Sequence, residues 1–261
     1  MTAVIQDYTT AADVTDQTTL SINKPTGVVS GDLIVIVAIS DPQGGSADPE
    51  WTTTQASTPQ FDDSSNKPTG GTTFNLIAAY HEDLPANTDS CIAAWYKIAG
   101  GSEPSTYTVT GGVANEMNAW CFRIDGHDAA SPIQGPGTVA SSTFASSLGI
   151  TGFTTTVDDV LCFAAHANDG SDLGPYTTSG TGWTEHSEND PDDSSAGCAG
   201  SLSTKTQAST GATGTCTHSW TGSDGCVGMQ FGIAPASSGT TDVNYHGTGR
   251  GILRGIGRGI G

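Results

Sequence analysis

The sequence predicts an all-β protein, an antiparallel β-sandwich or jelly roll, and three observations predict it. Apolar residues gather into short dense runs, turn residues separate the runs at regular intervals, and no amphipathic 3.6-residue period lasts three turns. At 261 residues the chain can bury a core without staples, as one large sandwich or two small ones. A hydrophobic fraction of 35% is low for a globular enzyme, yet concentrated in runs it favours a folded chain over a disordered one.

Strands are expected at about 18–22, 33–40, 74–80, 92–98, 106–110, 117–124, 160–167, 183–187, 199–206, 215–220 and 227–233. The turns between them include Lys-Pro-Thr-Gly at Lys24 and again at Lys67, Gly-Gly at Gly100 and Gly111, and Gly-Ser-Asp-Gly at Gly222. Even spacing of this kind reads as a sandwich or jelly roll. In the second strand both faces are apolar, Leu33, Val35, Val37 and Ile39 on one and Ile34, Ile36 and Ala38 on the other. A half-exposed strand would alternate, so this one is expected to be covered on both sides, by a loop or by another subunit.

An internal repeat runs through the body. GDLIVIVAISD from Gly31 parallels DDVLCFAAHAND from Asp158, the segment from Cys91 parallels the one from Cys198, and AWCFRIDG from Ala119 parallels VGMQFGIAP from Val227, in the same order. The body is therefore expected to span residues 1–235, with repeat units of about 18–133 and 153–235. Residues 236–261 differ in composition. They hold three Arg and one Asp, a net +2, against −21 for residues 1–235.

That basic arm ends in RGIL RGIG RGIG from Arg250. Five glycines in twelve residues each cost a helix about 1 kcal/mol relative to Ala, so an extended arm is expected. Extended, Arg250, Ile252, Arg254, Ile256, Arg258 and Ile260 share one face, and the other is glycine except for Leu253. A ribbon of this kind suits binding to a partner surface.

The overall charge of −19 repels nucleic acid and anionic membranes, so neither is an expected partner. No apolar run approaches the roughly 20 residues of a membrane span. The N-terminus lacks the basic start and apolar core of a secretory signal, so synthesis in the cytoplasm and release by lysis are expected. The six cysteines, Cys91, Cys121, Cys162, Cys198, Cys216 and Cys226, show no zinc spacing. They are expected to be buried thiols, with Cys216 and Cys226, flanking a turn-like THSWTGSDG, as the candidate disulfide.

No nucleophile elbow, phosphate loop or dinucleotide fingerprint is present, and a non-enzymatic protein is expected. The six histidines lie far apart in sequence. His166 and His218 sit in strand-like segments that can meet in the fold, where ordinary hydrogen bonds would satisfy them. Glu188, Asn189, Asp190, Asp192 and Asp193 offer hard oxygen ligands within six residues, the chemistry of a weak calcium site, although a solvated acidic loop has the same composition. Trp51 and Trp183, beside polar loops, are candidate glycan contacts, with loop packing as the ordinary alternative.

The segments GDLIVIVAISD, WYKIAGGSEPSTYTVT and AWCFRIDGHDAASPI together resemble a family of tailed-phage and prophage virion proteins of tail-fibre-like or decoration-like type. The likeness covers roughly residues 31–133, with a weaker echo ending at FGIAP, and its most specific block is YKIAGGSEPSTYT. It implies a β-sandwich displayed on a virion surface and assigns no functional residues. The expected function is a structural protein of a phage capsid or tail, extracellular after lysis. The arm would anchor it to other virion proteins or to further copies in a homo-oligomer. The alternatives are a receptor- or glycan-binding fibre module and a self-assembling extracellular filament subunit.

Overall fold

The computed structural model describes residues 2–41, 60–82, 90–136, 139–170, 173–190 and 197–237. Fourteen strands follow one another: β1 Val4–Asn23, β2 Leu33–Asp41, β3 Asn75–Glu82, β4 Ser90–Ile98, β5 Thr106–Asp125, β6 Ile133–Gln134, β7 Val139–Ile150, β8 Thr154–Thr155, β9 Val160–Asn168, β10 Thr177–Ser179, β11 Thr184–Asn189, β12 Gly200–Gln207, β13 Gly211–Ala212 and β14 Cys216–Ile233. Among the described residues there is no helix. Every pairing is antiparallel. One sheet has the order β1-β5-β2-β4-β3. In the other, β7 pairs β14, which continues to β9, β12 and β11; β10 and β6 also pair with β14, and β8 and β13 form a small ribbon of their own.

The two sheets thus repeat one strand order, and their registers fix which residues correspond. Ile34 lies between Lys97 and Arg123, and Cys162 lies between Lys205 and Gly232. Counting along the strands sets Leu33 with Leu161, Phe122 with Phe231, and Ile124 with Ile233. The pairing corrects one detail of the repeat. Ser40 faces Cys91 while its counterpart Asn168 bridges Ala199, so Cys91 corresponds to Ala199 and not to Cys198.

The inward faces of the two sheets share one core. Leu33, Val35, Val37, Ile39, Trp120 and Phe122 meet Leu161, Phe163, Ala165, Leu202, Met229 and Phe231, with Phe122 edge-on to Phe163, which in turn stacks on Phe231. Each such side chain contributes about 1.5–3 kcal/mol on burial. The second face of β2 is covered too. Ile34, Ile36 and Ala38 pack with Phe61, Phe74, Trp95, Tyr107 and Val109 in a separate outer core.

What makes that outer layer is the length of β5. Two strands were expected at 106–110 and 117–124, but β5 runs unbroken through Gly111 and Gly112. There it bulges against β1, with Gln17 opposite Asn115 and Thr19 opposite Thr110. Bulges sharpen strand bending, and the first half of β5 folds back over the sheet's own outer face. Hence the cover on β2 comes from the chain itself. β14 does the same through 222–225, the segment expected to be a turn, with bulges between Ser219 and Cys226. Its outer core holds Ile150, Cys162, Ala164, Tyr176, Trp183 and Trp220.

Candidate functional site

The sandwich has two ends. At one, β2 stops at Asp41 and β4 begins at Ser90, while in the other sheet β9 stops at Asn168 and β12 begins at Gly200. The Cys198 thiol lies 3.6 Å from the Ile39 carbonyl, so these strand ends are neighbours. In sequence, the segments 42–59, 83–89, 171–172 and 191–196 adjoin these strand ends and lie outside the described residues. They carry Asp48, Glu50, Asp83, Asp89, Asp172, Asp192 and Asp193 and no Lys or Arg.

Asparagines tie the sheets together at these strand ends. Asn118 Nδ2 donates to the Cys198 carbonyl at 2.5 Å, and Asn189 Nδ2 donates to the carbonyls of Ala11 at 2.9 Å and Ala119 at 3.3 Å. Burial, followed by the carboxylates of Asp41 and Glu116, pushes the Cys198 thiol well above its ordinary range.

At the opposite end β5 and β14 finish, and the chain leaves the body through Ala236, whose N–H donates to the Gly126 carbonyl at 2.7 Å. A pocket of about 520 Å³ opens there, lined among others by Asp128, Gln134, Asp158, Asp159 and Ser237. Its lining holds three carboxylates and no cation. Asp128 Oδ1 accepts the N–H groups of Ala130 and Ser131, and Asp158 Oδ1 accepts that of Thr210.

A third polar constellation is wholly internal. His166 on β9 and His218 on β14 meet in the outer layer of the second sheet with their Nδ1 atoms 2.6 Å apart, and both are fully buried. Ser201 Oγ lies 3.4 Å and 3.3 Å from the two Nδ1 atoms, and Ser203 Oγ is 2.9 Å from His218 Nε2 and 2.7 Å from Thr178 Oγ1. His166 stacks on Trp220, rings 5.0 Å apart, and meets Tyr176 edge-on at 5.1 Å. Burial brings the basicity of His218 down to about 4 and that of His166 well below the ordinary histidine range, the neighbouring ring adding to the effect on His166. The sequence placed both histidines in strands, but Ser201, Ser203, Tyr176 and Trp220 carried no signal of this cluster.

The residues singled out from sequence have different fates. Glu188 and Asp190 act as local acceptors: Glu188 Oε1 takes the Tyr176 N–H at 2.9 Å and Asp190 Oδ2 takes that of Gly174 at 2.7 Å. Asn189 turns inward to the bonds given above. Asp192 and Asp193 lie outside the described residues, and among those described no three His, Cys, Asp or Glu side chains converge as a metal site.

The expected disulfide does not form. Cys216 and Cys226 are free buried thiols, and they lie on one continuous strand ten positions apart, facing Ile150 and Ser142 of β7. Their strand partners lie eight positions apart on β7, a separation beyond the reach of a disulfide. Trp183 is likewise no surface contact, for it is 7% exposed and Lys205 Nζ covers its ring at 5.5 Å. Trp51 and the arm residues Arg250, Ile252, Leu253, Arg254, Ile256, Arg258 and Ile260 lie outside the described residues.

Comparison with protein-family models, with curated proteins and with solved structures finds no match.

Proposed function

We propose that the chain is a non-enzymatic structural protein of a tailed-phage virion surface, anchored through its C-terminal arm with its acidic connections directed outward. One observation carries this: the chain departs toward the basic arm from one end of the sandwich, while the strand ends that adjoin the acidic segments in sequence lie at the other. A body whose last described residues leave at the end opposite these strand ends suits display on a particle. The likeness of residues 31–133 to virion proteins supports the same assignment, and the arm's Arg/Ile face supplies the attachment chemistry. Its three arginines select a carboxylate-bearing partner, and its isoleucines fill pockets while the glycine face allows close backbone approach.

The test is co-sedimentation with particles from the producing lysate, comparing the full chain with one lacking residues 249–261. Circular dichroism checks that both are folded. The truncated chain is expected to keep its β spectrum and lose particle occupancy, with salt weakening attachment of the full chain. Unchanged occupancy of the truncated chain overturns the proposal. The same polarity favours a second reading, in which the acidic end binds a host receptor or glycan. Glycan-array binding that is lost when residues 42–59 are replaced by a short linker would establish it.

A further inference from the structure

We propose that the His166–His218 contact is an acid-sensitive latch, holding the outer layer of the second sheet closed while both rings are neutral and releasing it when they take up protons.

The hydrogen bonds determine the protonation pattern. Ser201 N–H donates to His166 Nδ1 at 3.3 Å, so that nitrogen is an acceptor. The 2.6 Å contact then requires His218 to supply its Nδ1–H. His218 Nε2 is left as an acceptor for the Ser203 hydroxyl, which in turn accepts from Thr178. The chain of donors therefore runs Thr178, Ser203, His218, His166, and it consumes both neutral tautomers. It ends at His166 Nε2, which is buried, with the Asn168 side chain as the neighbouring polar group.

A proton added to His218 Nε2 forces Ser203 and Thr178 to reverse their hydroxyls, and one added to His166 Nδ1 abolishes the contact between the rings. Either charge would sit in a fully buried place. The groups facing the pair are Asn168 on β9, Ser201 and Ser203 on β12, Tyr176 and Thr178 at β10, and Trp220 on β14. None of them is anionic. Glu188, Asp190 and Asp224 bear on Tyr176. An unpaired buried cation is costly enough that the surroundings open to water instead. Tyr176 Oη and the indole nitrogens of Trp183 and Trp220 are also buried without partners, so opening gives them hydrogen bonds that the closed layer denies.

The first sheet shows that the fold itself has no need of this cluster. By register, His166 corresponds to Ala38, His218 to Val109, Ser201 to Ala93 and Ser203 to Trp95, all members of an apolar outer core. The same layer is thus built once as hydrocarbon and once around two titratable rings. The sign follows from the depressed basicity. The closed form is favoured fully above the unfolded histidine value of about 6.5, and its advantage falls as pH drops toward about 4, the value of His218.

Hydrogen exchange of the intact chain, corrected for the intrinsic pH dependence, tests the latch. Between pH 6.5 and 4, amides of β10, β12 and the first half of β14 are expected to lose protection by up to about 100-fold per pH unit, the limit for two protons. Those of β2 and the first half of β5 should keep theirs. The His166→Ala/His218→Val double variant, which installs the residues of the first sheet, should abolish the difference. Should that variant fail to fold, His218→Gln alone is expected to reduce the slope to one proton. Equal acid loss in both sheets, unaltered slopes in the variants, or nuclear magnetic resonance titration of both rings near 6.5 with the layer still protected would each overturn the proposal.

Discussion

Gly31 and Asp159 occupy the same position in the two sheets, each two residues ahead of a leucine, Leu33 or Leu161, and each with a left-handed backbone, φ 96° and 57°. The turn before the central strand of each sheet demands this conformation. Glycine meets the demand without a Cβ, and Asp is among the few other residues that tolerate it. A Cβ built on Gly31 meets nothing within 4 Å, so only backbone strain opposes substitution. Gly31→Ala is expected to lower stability by about 1 kcal/mol in urea denaturation. Asp159→Gly should shift it by under about 0.5 kcal/mol, because relief of strain is offset by a more flexible unfolded chain.

Much of this architecture was legible in the sequence, and the exceptions have physical causes. The unbroken apolar run from Leu33 to Ile39 identified a strand buried on both faces, because no solvent-facing residue interrupts it. What covers the strand was not legible. Gly111-Gly112 and Gly222 to Gly225 have turn chemistry, and the same residues serve equally well as bulges in a strand that bends without reversing. The supposed Cys216–Cys226 bridge failed for that reason, since a bend keeps the two cysteines far apart where a turn would have joined them. His166 and His218 were placed correctly in strands. Their meeting depends on tertiary register, which no local pattern encodes.

A second prediction contrasts equivalent lysines. Lys97 is buried against Glu103 at 2.6 Å, with both side chains almost inaccessible, and its ammonium lies 4.7 Å and 4.4 Å from the ring centres of Phe74 and Tyr107. Burial alone would raise the Glu103 carboxyl, but the bonds from Lys97, Gly100 and Tyr107 outweigh it and hold the group below its ordinary range. Lys205, its counterpart, bonds backbone carbonyls among the described residues, Thr213 at 2.7 Å and Thr181 at 3.3 Å. Lys97→Met should therefore cost about 3–5 kcal/mol by stranding a buried carboxylate, and Lys205→Met about 1–3 kcal/mol. Adding Glu103→Gln to Lys97→Met should recover part of the loss, read from denaturation midpoints.

The cysteines give a third. All six are free and buried, and burial pushes the thiols of Cys162, Cys216 and Cys226 up to about 12. Thiolates are the reactive form, so alkylation at neutral pH should be negligible in the folded protein and reach six groups after unfolding. Mass spectrometry under non-reducing conditions reads the count directly. Four labelled thiols in the unfolded chain would reveal a bridge and contradict the strand path of β14.

The fourth prediction concerns Glu185 on β11, whose carboxyl is raised to about 7 by burial first and then by its hydrogen bond and repulsion with Glu188. Glu188 Oε1 accepts the Tyr176 N–H, which anchors its side chain on the segment beside the histidine pair. The folded value lies above the unfolded one of about 4.5, which means that the native state holds this proton more tightly. Stability from this group is complete below about pH 4.5, declines as pH rises, and is lost above about 7. That direction opposes the histidine pair, whose contribution is lost as pH falls, so the two are separable by variants. Glu185→Gln keeps a donor toward Glu188 without the charge. The variant is expected to match the parent at pH 4 and to melt at a higher temperature at pH 8, with the difference growing between those limits. A difference independent of pH would show that Glu185 titrates alike in the folded and unfolded chain, so that the fold does not hold its proton.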